Sequence, residues 1–258
     1  MANTALVTGA SSGIGREFAR LHAKRGGDVI VTARNEAALA DLKAEIEAKH
    51  GVTVHVFALD LAAEGGARDL YDRIVAAGLT VDILINNAGF GGQGLHTERD
   101  LADEHAMIDL NVKAPVALTR LFGADMARHG KGRILNVGSS AGFMPGPYQA
   151  VYFATKAFVQ SFSQAVDEEL REKGVTCTVL APGYVETGFA KAANLDGTKL
   201  VAGGGATPAA VARCGYSAML RGRLVAFNET LLSVAIGWII PLLPRRTVLR
   251  VIAGMQRK

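Results

Sequence analysis

The sequence predicts an α/β fold: a doubly wound parallel sheet of about seven strands with helices on both faces. Three observations carry this. Short runs rich in Val and Ile alternate with longer segments of helical spacing, from TALVTG at 4–9 to VTCTVLAPG at 175–183. Such alternation argues for parallel strands buried on both faces, and right-handed crossovers then wind the helices onto both sides. No repeat, linker or shift in composition interrupts the chain before about residue 190. A chain of 258 residues, 49% hydrophobic and 20% charged, suits one packed domain over 1–258.

The elements follow in order. TALVTG is a short apolar strand, and residues 14–25 have helical spacing. DVIVTAR (28–34) is the second strand, EAALADLKAEIEAKH (36–50) a helix, and VTVHVFALD (52–60) the third strand. A helix near 66–77 leads to VDILINNAG (81–89). A long helical stretch covers roughly 100–128, and RILNVGS (133–139) is the fifth strand. A helix over about 150–173 precedes the sixth, VTCTVLAPG. After Pro182 the pattern loosens. Residues 183–206 are Gly-rich and too long for an ordinary connection, which marks a substrate loop on the carboxyl side of the sheet. A helix near 208–220 and a short strand near 223–227 complete the sheet, and 228–258 form a C-terminal extension.

Charge and cysteine content exclude several classes. The net charge of +4 resides in the tail, where Arg245, Arg246, Arg250, Arg257 and Lys258 meet no acidic residue. The body is nearly neutral and has no nucleic-acid signature. Cys177 and Cys214 read as free thiols of a reduced compartment. No secretory or transit peptide is visible, so a cytoplasmic protein is expected. In that setting the Asn228-Glu229-Thr230 match to a glycosylation acceptor carries no weight.

The residues between the first strand and first helix point to a phosphate site. Gly9, Gly13 and Gly15 allow a tight turn and a close backbone approach, and the helix that follows favours an anion at its N-terminus. A plain tight turn gives the same glycines, and the spacing is not GxGxxG. The second strand ends in Arg34 with no acid beside it. An acid there holds the ribose hydroxyls of NAD, whereas an arginine suits a ribose phosphate. NADP(H) is therefore expected over NAD(H). Further on, YQAVYFATK at 148–156 sets Tyr152 and Lys156 four apart, on one helix face. An exposed surface pair has the same spacing.

Taken together these motifs resemble the short-chain dehydrogenase/reductase family, with its Rossmann-type fold. In order they are TGASSGIG (8–15), Asp60, NNAG (86–89), Asn111, the Ser139 region, Tyr152-x-x-x-Lys156 and Pro182-Gly183, covering about residues 4–190. The resemblance implies a cofactor groove of Gly9, Ser11, Ser12, Gly13, Ile14, Gly15 and Arg34. Asp60 would meet the adenine edge with Leu61 beside it. Asn87, Ala88 and Gly89 would line the groove, with Pro182, Gly183, Val185 and Thr187 at the nicotinamide end. Tyr152 would be the acid/base, Lys156 would bind the nicotinamide ribose, and Asn111 would hold a water of the proton relay. The run N136-V-G-S-S-A-G142 departs from the family, because Gly138 replaces a non-catalytic serine. Counting back from Ala141-Gly142 gives Ser139 as the catalytic serine, thirteen residues before Tyr152. The resemblance also implies a homodimer or homotetramer. No metal is assigned.

Carbonyl reduction needs a hydride on carbon and a proton on oxygen. Free tyrosine titrates near 10. A lysine cation about 5 Å away, at an effective dielectric near 20, would favour the phenolate by roughly 3 kcal/mol, about two pKa units. Ser139 would donate to the developing alkoxide. Phe143, Met144, Tyr148, Tyr184 and Phe189 are the candidate substrate wall, and suit a lipophilic ketone, aldehyde or secondary alcohol. Equally, such residues simply pack a loop. The apolar run at 231–243 is too short to span a bilayer and is interrupted by Pro241. Packing of the tail on the protein is the preferred reading, a subunit interface or a membrane surface the lesser ones. Two alternatives to a simple carbonyl reductase remain: a cofactor-sensing binding protein, and a membrane-surface long-chain oxoacyl reductase.

Overall fold

The computed structural model describes residues 3–258; Met1 and Ala2, which the single-domain reading includes, lie outside the described residues. Seven parallel strands form one sheet in the order β3-β2-β1-β4-β5-β6-β7. They are β1 Thr4–Thr8, β2 Asp28–Ala33, β3 Val54–Ala58, β4 Ile83–Asn86, β5 Gly132–Val137, β6 Val175–Leu180 and β7 Val225–Ala226. The larger helices are α1 Gly13–Ala23, α2 Glu36–His50, α3 Gly66–Ala76, α4 Leu101–Ile108, α5 Ala114–Arg128 and α6 Ala150–Arg171. Short α7 Phe189–Ala192 and α8 Lys199–Ala202 precede α9 Pro208–Leu220, and α10 Thr230–Val234 and α11 Arg245–Gln256 close the chain.

Strand periodicity splits the core into two layers. Ala5, Val7, Val29, Val31, Ile83, Ile85, Leu135 and Val137 point to one face, where Phe18, Leu39, Leu42, Tyr216 and Met219 cover them. The residues between them, Leu6, Ile30, Leu84 and Ile134, point to the other face and meet Leu70, Ile74, Leu118, Phe122 and Met126. Period-two alternation permits this, and each such side chain contributes about 1.5–3 kcal/mol on burial. Apolar side chains on both faces explain why the strands read as continuous apolar runs.

The structure refines three expected elements. The helical stretch at 100–128 is interrupted by a π-helical turn, Asp109–Lys113, immediately before Pro115. The loop after Pro182 is ordered: α7 and α8 lie in it, and a parallel bridge between Val185 and Ala206 closes its base. In the tail, α10 runs into a second π turn, Ala235–Ile239, and a 3-10 turn at Ile240–Leu242 ends it beside Pro241. β1 lies between β2 and β4, so the strand order reverses there. A crevice opens outside the carboxyl ends at such a reversal.

Candidate active site

The residues leaving β1 shape one side of this crevice. Gly9 and Gly13 have φ of +66° and +54°, in the left-handed region that a side chain disfavours. A Cβ at Gly15 would run into the Gly9 carbonyl. Ser12 caps α1 by position only: its side chain makes no capping bond, and the first turn holds no acid. α2, α4 and α9 are capped by Asn35, Asp100 and Thr207, whereas α3, α5 and α6 lack a side-chain cap as α1 does. The N–H groups at the start of α1 are thus left for an anion, at the positive end of the helix dipole. The donor set fits a dinucleotide pyrophosphate. Ile14 packs under the turn, while Ser11 is half-buried and Ser12 exposed at the lip. Thr187 faces the turn, since a Cβ on Gly13 would come within 3.2 Å of its methyl group.

Further out, Arg34 lies 3.9 Å from Asp60; the arginine is largely exposed and the aspartate half-buried. Asp60 Oδ1 accepts the Ala62 N–H at 2.9 Å, and Leu61 is buried beneath it. Among the described residues this long ion pair is its one side-chain partner, so the exposed guanidinium can take a phosphate oxygen.

Across the crevice, β4 is bolted to β1. Thr8 Oγ1 accepts the N–H groups of both Asn87 and Ala88 at 2.9 Å, and Asn87 Nδ2 donates to the Thr8 carbonyl at 2.9 Å. The Asn87 side chain therefore works on the protein's own backbone. Below it, Asn86 Nδ2 donates to Asn136 Oδ1 at 2.8 Å, and Asn136 Nδ2 to Ser163 Oγ at 2.9 Å. This buried polar ladder fixes β4, β5 and α6 relative to one another.

The candidate acid/base group sits at the exits of β4 and β5. Ser139 Oγ accepts the Ala141 N–H at 3.1 Å, which leaves its proton free to donate. Its hydroxyl stands at the Tyr152 phenol, where it pulls the phenol's pKa down. Lys156 is buried, donates from Nζ to the Val137 carbonyl at 2.9 Å, and lies 5.8 Å from the Tyr152 ring centre. Asn111 is buried within the first π turn. Its amide accepts the Phe90 N–H at 3.1 Å and donates to the Phe90 carbonyl at 2.9 Å and to Thr155 Oγ1 at 3.1 Å. Gly89 lies between these two side chains: a Cβ there would come within 2.8 Å of Asn111 Oδ1 and 3.6 Å of Lys156 Nζ.

One expectation is overturned. The Tyr152 pKa is not depressed but pushed up to about 12, because burial destabilises the phenolate more than Ser139 stabilises it. Lys156 is itself lowered to about 8 by burial. Its ammonium points to the Val137 carbonyl, and burial is the leading cause of the shift at both groups.

The candidate substrate residues divide. Phe189 lies against Tyr152, with ring centres 5.4 Å apart. Phe143 packs on Phe227 at 5.3 Å, and Met144 is half-buried beside it. Tyr184 joins a satellite cluster with Ala190, Ala193 and Leu195, so it packs the loop. Val185 is in the core, Gly183 gives its N–H to Asn228 Oδ1 at 3.2 Å, and Pro182 accepts the Ser140 N–H at 2.8 Å. Tyr148 is held in the left-handed region at φ +67°, just before α6.

Sequence reasoning missed two features. Gly91 faces Phe189 and Tyr152, and a Cβ on it would lie 2.8 Å and 3.1 Å from them. The last three residues also fold back over this end of the cleft. Gln256 is buried, accepts from Gln149 Nε2 at 2.6 Å on its side chain and from Gln93 Nε2 at 3.1 Å on its carbonyl. Arg257 Nε donates to Tyr148 Oη at 2.7 Å, and Lys258 Nζ to Asn194 Oδ1 at 2.6 Å. One signal pointed to the latch: Val248, Ile252 and Gln256 are spaced four apart, which puts a glutamine on an inward apolar face.

Comparison with known proteins follows the same outline. The profile of the short chain dehydrogenase family matches residues 3–197. A very-long-chain 3-oxoacyl-CoA reductase of Macaca fascicularis is 33% identical over 98% of this chain and 79% of its own length. The chain spans only 61% of the length of the bovine and human reductases of that name. Sulfoacetaldehyde reductase 2 of Chromohalobacter salexigens is 39% identical over 73% of this chain and 75% of its own. Among solved structures, a short-chain dehydrogenase from Sphingobium yanoikuyae in complex with NADPH superposes with a TM-score of 0.84. It is 29% identical and covers 90% of both chains.

Proposed function

The chain belongs to the short-chain dehydrogenase family, and on that premise we propose an NADP(H)-dependent oxidoreductase interconverting a carbonyl and a secondary alcohol on a lipophilic substrate. The observation that carries this reading is the convergence of Ser139, Tyr152, Lys156 and Asn111 beside the uncapped start of α1.

The glycine turn and the N-terminus of α1 would hold the pyrophosphate, Arg34 the ribose phosphate, and Lys156 the nicotinamide ribose. Bound NADPH supplies the hydride. The chain's own residues manage the oxygen. Ser139, oriented by the Ala141 N–H, donates to the carbonyl and stabilises charge as it develops. Tyr152, neutral at pH 7, gives its proton to that oxygen. The ammonium of Lys156, only 5.8 Å from the ring, then steadies the phenolate. The Asn111 amide is fully engaged by Phe90 and Thr155. Phe189, in α7, packs against the phenol ring.

Phe143, Phe189 and Phe227 support a lipophilic substrate, and the 3-oxoacyl-CoA reductases support a long-chain oxoacyl group. The sulfoacetaldehyde reductase favours the contrary case of a small polar aldehyde. A cofactor-sensing protein without turnover is the weaker alternative, because none of the four acid/base residues is missing. The stacked pair Phe158 and Phe162, with Phe158 exposed on α6, supports a homodimer or homotetramer. The deciding experiment is NADPH and NADH oxidation against 3-oxoacyl thioesters of graded chain length, with sulfoacetaldehyde in parallel. NADPH-dependent turnover rising with chain length is expected; turnover confined to the small aldehyde would overturn the lipophilic reading.

A further inference from the structure

The segment after Glu229 packs with one face and leaves the other bare. Its inner face is satisfied: Ile236 is buried, and Leu232 lies against Gly183. Its outer face carries Leu231, Val234, Trp238 and Leu242, which are 87%, 47%, 75% and 84% exposed. They line the bare side of a segment that runs from α10 through the π turn into the 3-10 turn. An exposed tryptophan among leucines is poorly placed in water and well placed at a lipid headgroup boundary. The adjoining α11 starts with Arg245 and Arg246, adds Arg250 one turn on, and exposes Val251 and Met255. Residues 230–258 carry no acidic side chain.

We propose that this outer face and the three arginines form a docking surface for an anionic lipid bilayer, lying on the membrane without crossing it. Among the described residues no helix is long and apolar enough to cross one. Charge decides between a bilayer and a second copy of the chain. A two-fold contact would bring the same patch together from both sides, arginines included. Anionic headgroups neutralise them, at about fivefold in affinity per arginine. Because the segment packs on Gly183, past the carboxyl end of β6, the surface lies on the side where the crevice opens. A long-chain substrate of the kind proposed above would then enter from the lipid, although docking itself does not depend on that substrate.

Trp238 is the single tryptophan of the chain, so its fluorescence reports on this face alone. The full chain is mixed with phosphatidylcholine vesicles and with vesicles also containing phosphatidylserine. A blue shift and co-sedimentation with the anionic vesicles alone are expected, both reversed by high salt. The triple variant Arg245→Gln, Arg246→Gln, Arg250→Gln should lose on the order of 100-fold in partitioning, with NADPH binding retained as proof of folding. Two results would overturn the proposal. One is unchanged emission with anionic vesicles. The other is blue-shifted emission in buffer from a dimer that Trp238→Ser converts to monomer, which would make a second copy the occupant. Neither readout involves turnover, so a failed activity assay leaves this test intact.

Discussion

Tyr152 keeps its proton at neutral pH because burial disfavours the phenolate, and Lys156 is lowered to about 8 for the same reason. The raised phenol suits reduction, which consumes the protonated form. Lys156 has a consequence for stability. Its folded pKa of about 8 lies below the unfolded value of 10.5. Between those values the unfolded chain binds a proton that the folded chain does not, so this group makes stability rise with pH across that window. Lys156→Met should remove that rise, worth up to about 3 kcal/mol by pH 10.5. Chemical denaturation of both proteins from pH 7 to 10 measures it; parallel curves would show that Lys156 is not desolvated. Arg34 is a second residue-scale case. Arg34→Ala should raise KM for NADPH roughly tenfold while leaving NADH nearly unchanged, measured by steady-state kinetics with each cofactor. An equal loss with both would detach Arg34 from the phosphate.

At the scale of elements, the central strands were readable because they are apolar on both faces, and the motifs because they cluster at strand exits. The π turn at Asp109–Lys113 was not readable, since helical spacing on either side hides one inserted residue. Nor was the closure of the cleft, which depends on residues far apart in sequence. Among the described residues, Tyr148 and Asn194 are the two non-glycine positions with positive φ. Each is tied down by one of the last two residues, Arg257 and Lys258. Such a backbone costs on the order of 1–3 kcal/mol and persists when its surroundings hold it. Residues 257 and 258 thus brace the start of α6 and the loop beyond α7. Ending the chain after Met255 should raise KM for a long-chain 3-oxoacyl thioester about tenfold, with NADPH affinity unchanged. Kinetics and cofactor titration of the shortened chain test this, and an unaltered KM would assign the contacts to packing alone.

For the whole molecule, the strand order β3-β2-β1-β4-β5-β6-β7 gathers the glycine turn after β1, the Asn87 exit of β4 and the Ser139 exit of β5 on one edge. Their order along the chain allowed the sequence to show this site; what it hid was how each side chain is used. Asn87 and Asn111 fasten backbone, and the electrostatic balance at Tyr152 reverses the expected sign. Coulomb attraction can be estimated from spacing on a helix, but desolvation depends on everything packed around it. The role of Tyr152 as proton donor is tested by Tyr152→Phe, assayed for NADPH binding by fluorescence and for NADPH oxidation with a long-chain 3-oxoacyl thioester. Cofactor affinity should be unchanged and turnover reduced by 10²-fold or more, about the worth of a positioned proton donor. Turnover close to that of the unaltered protein would contradict that role and remove Tyr152 from the chemistry.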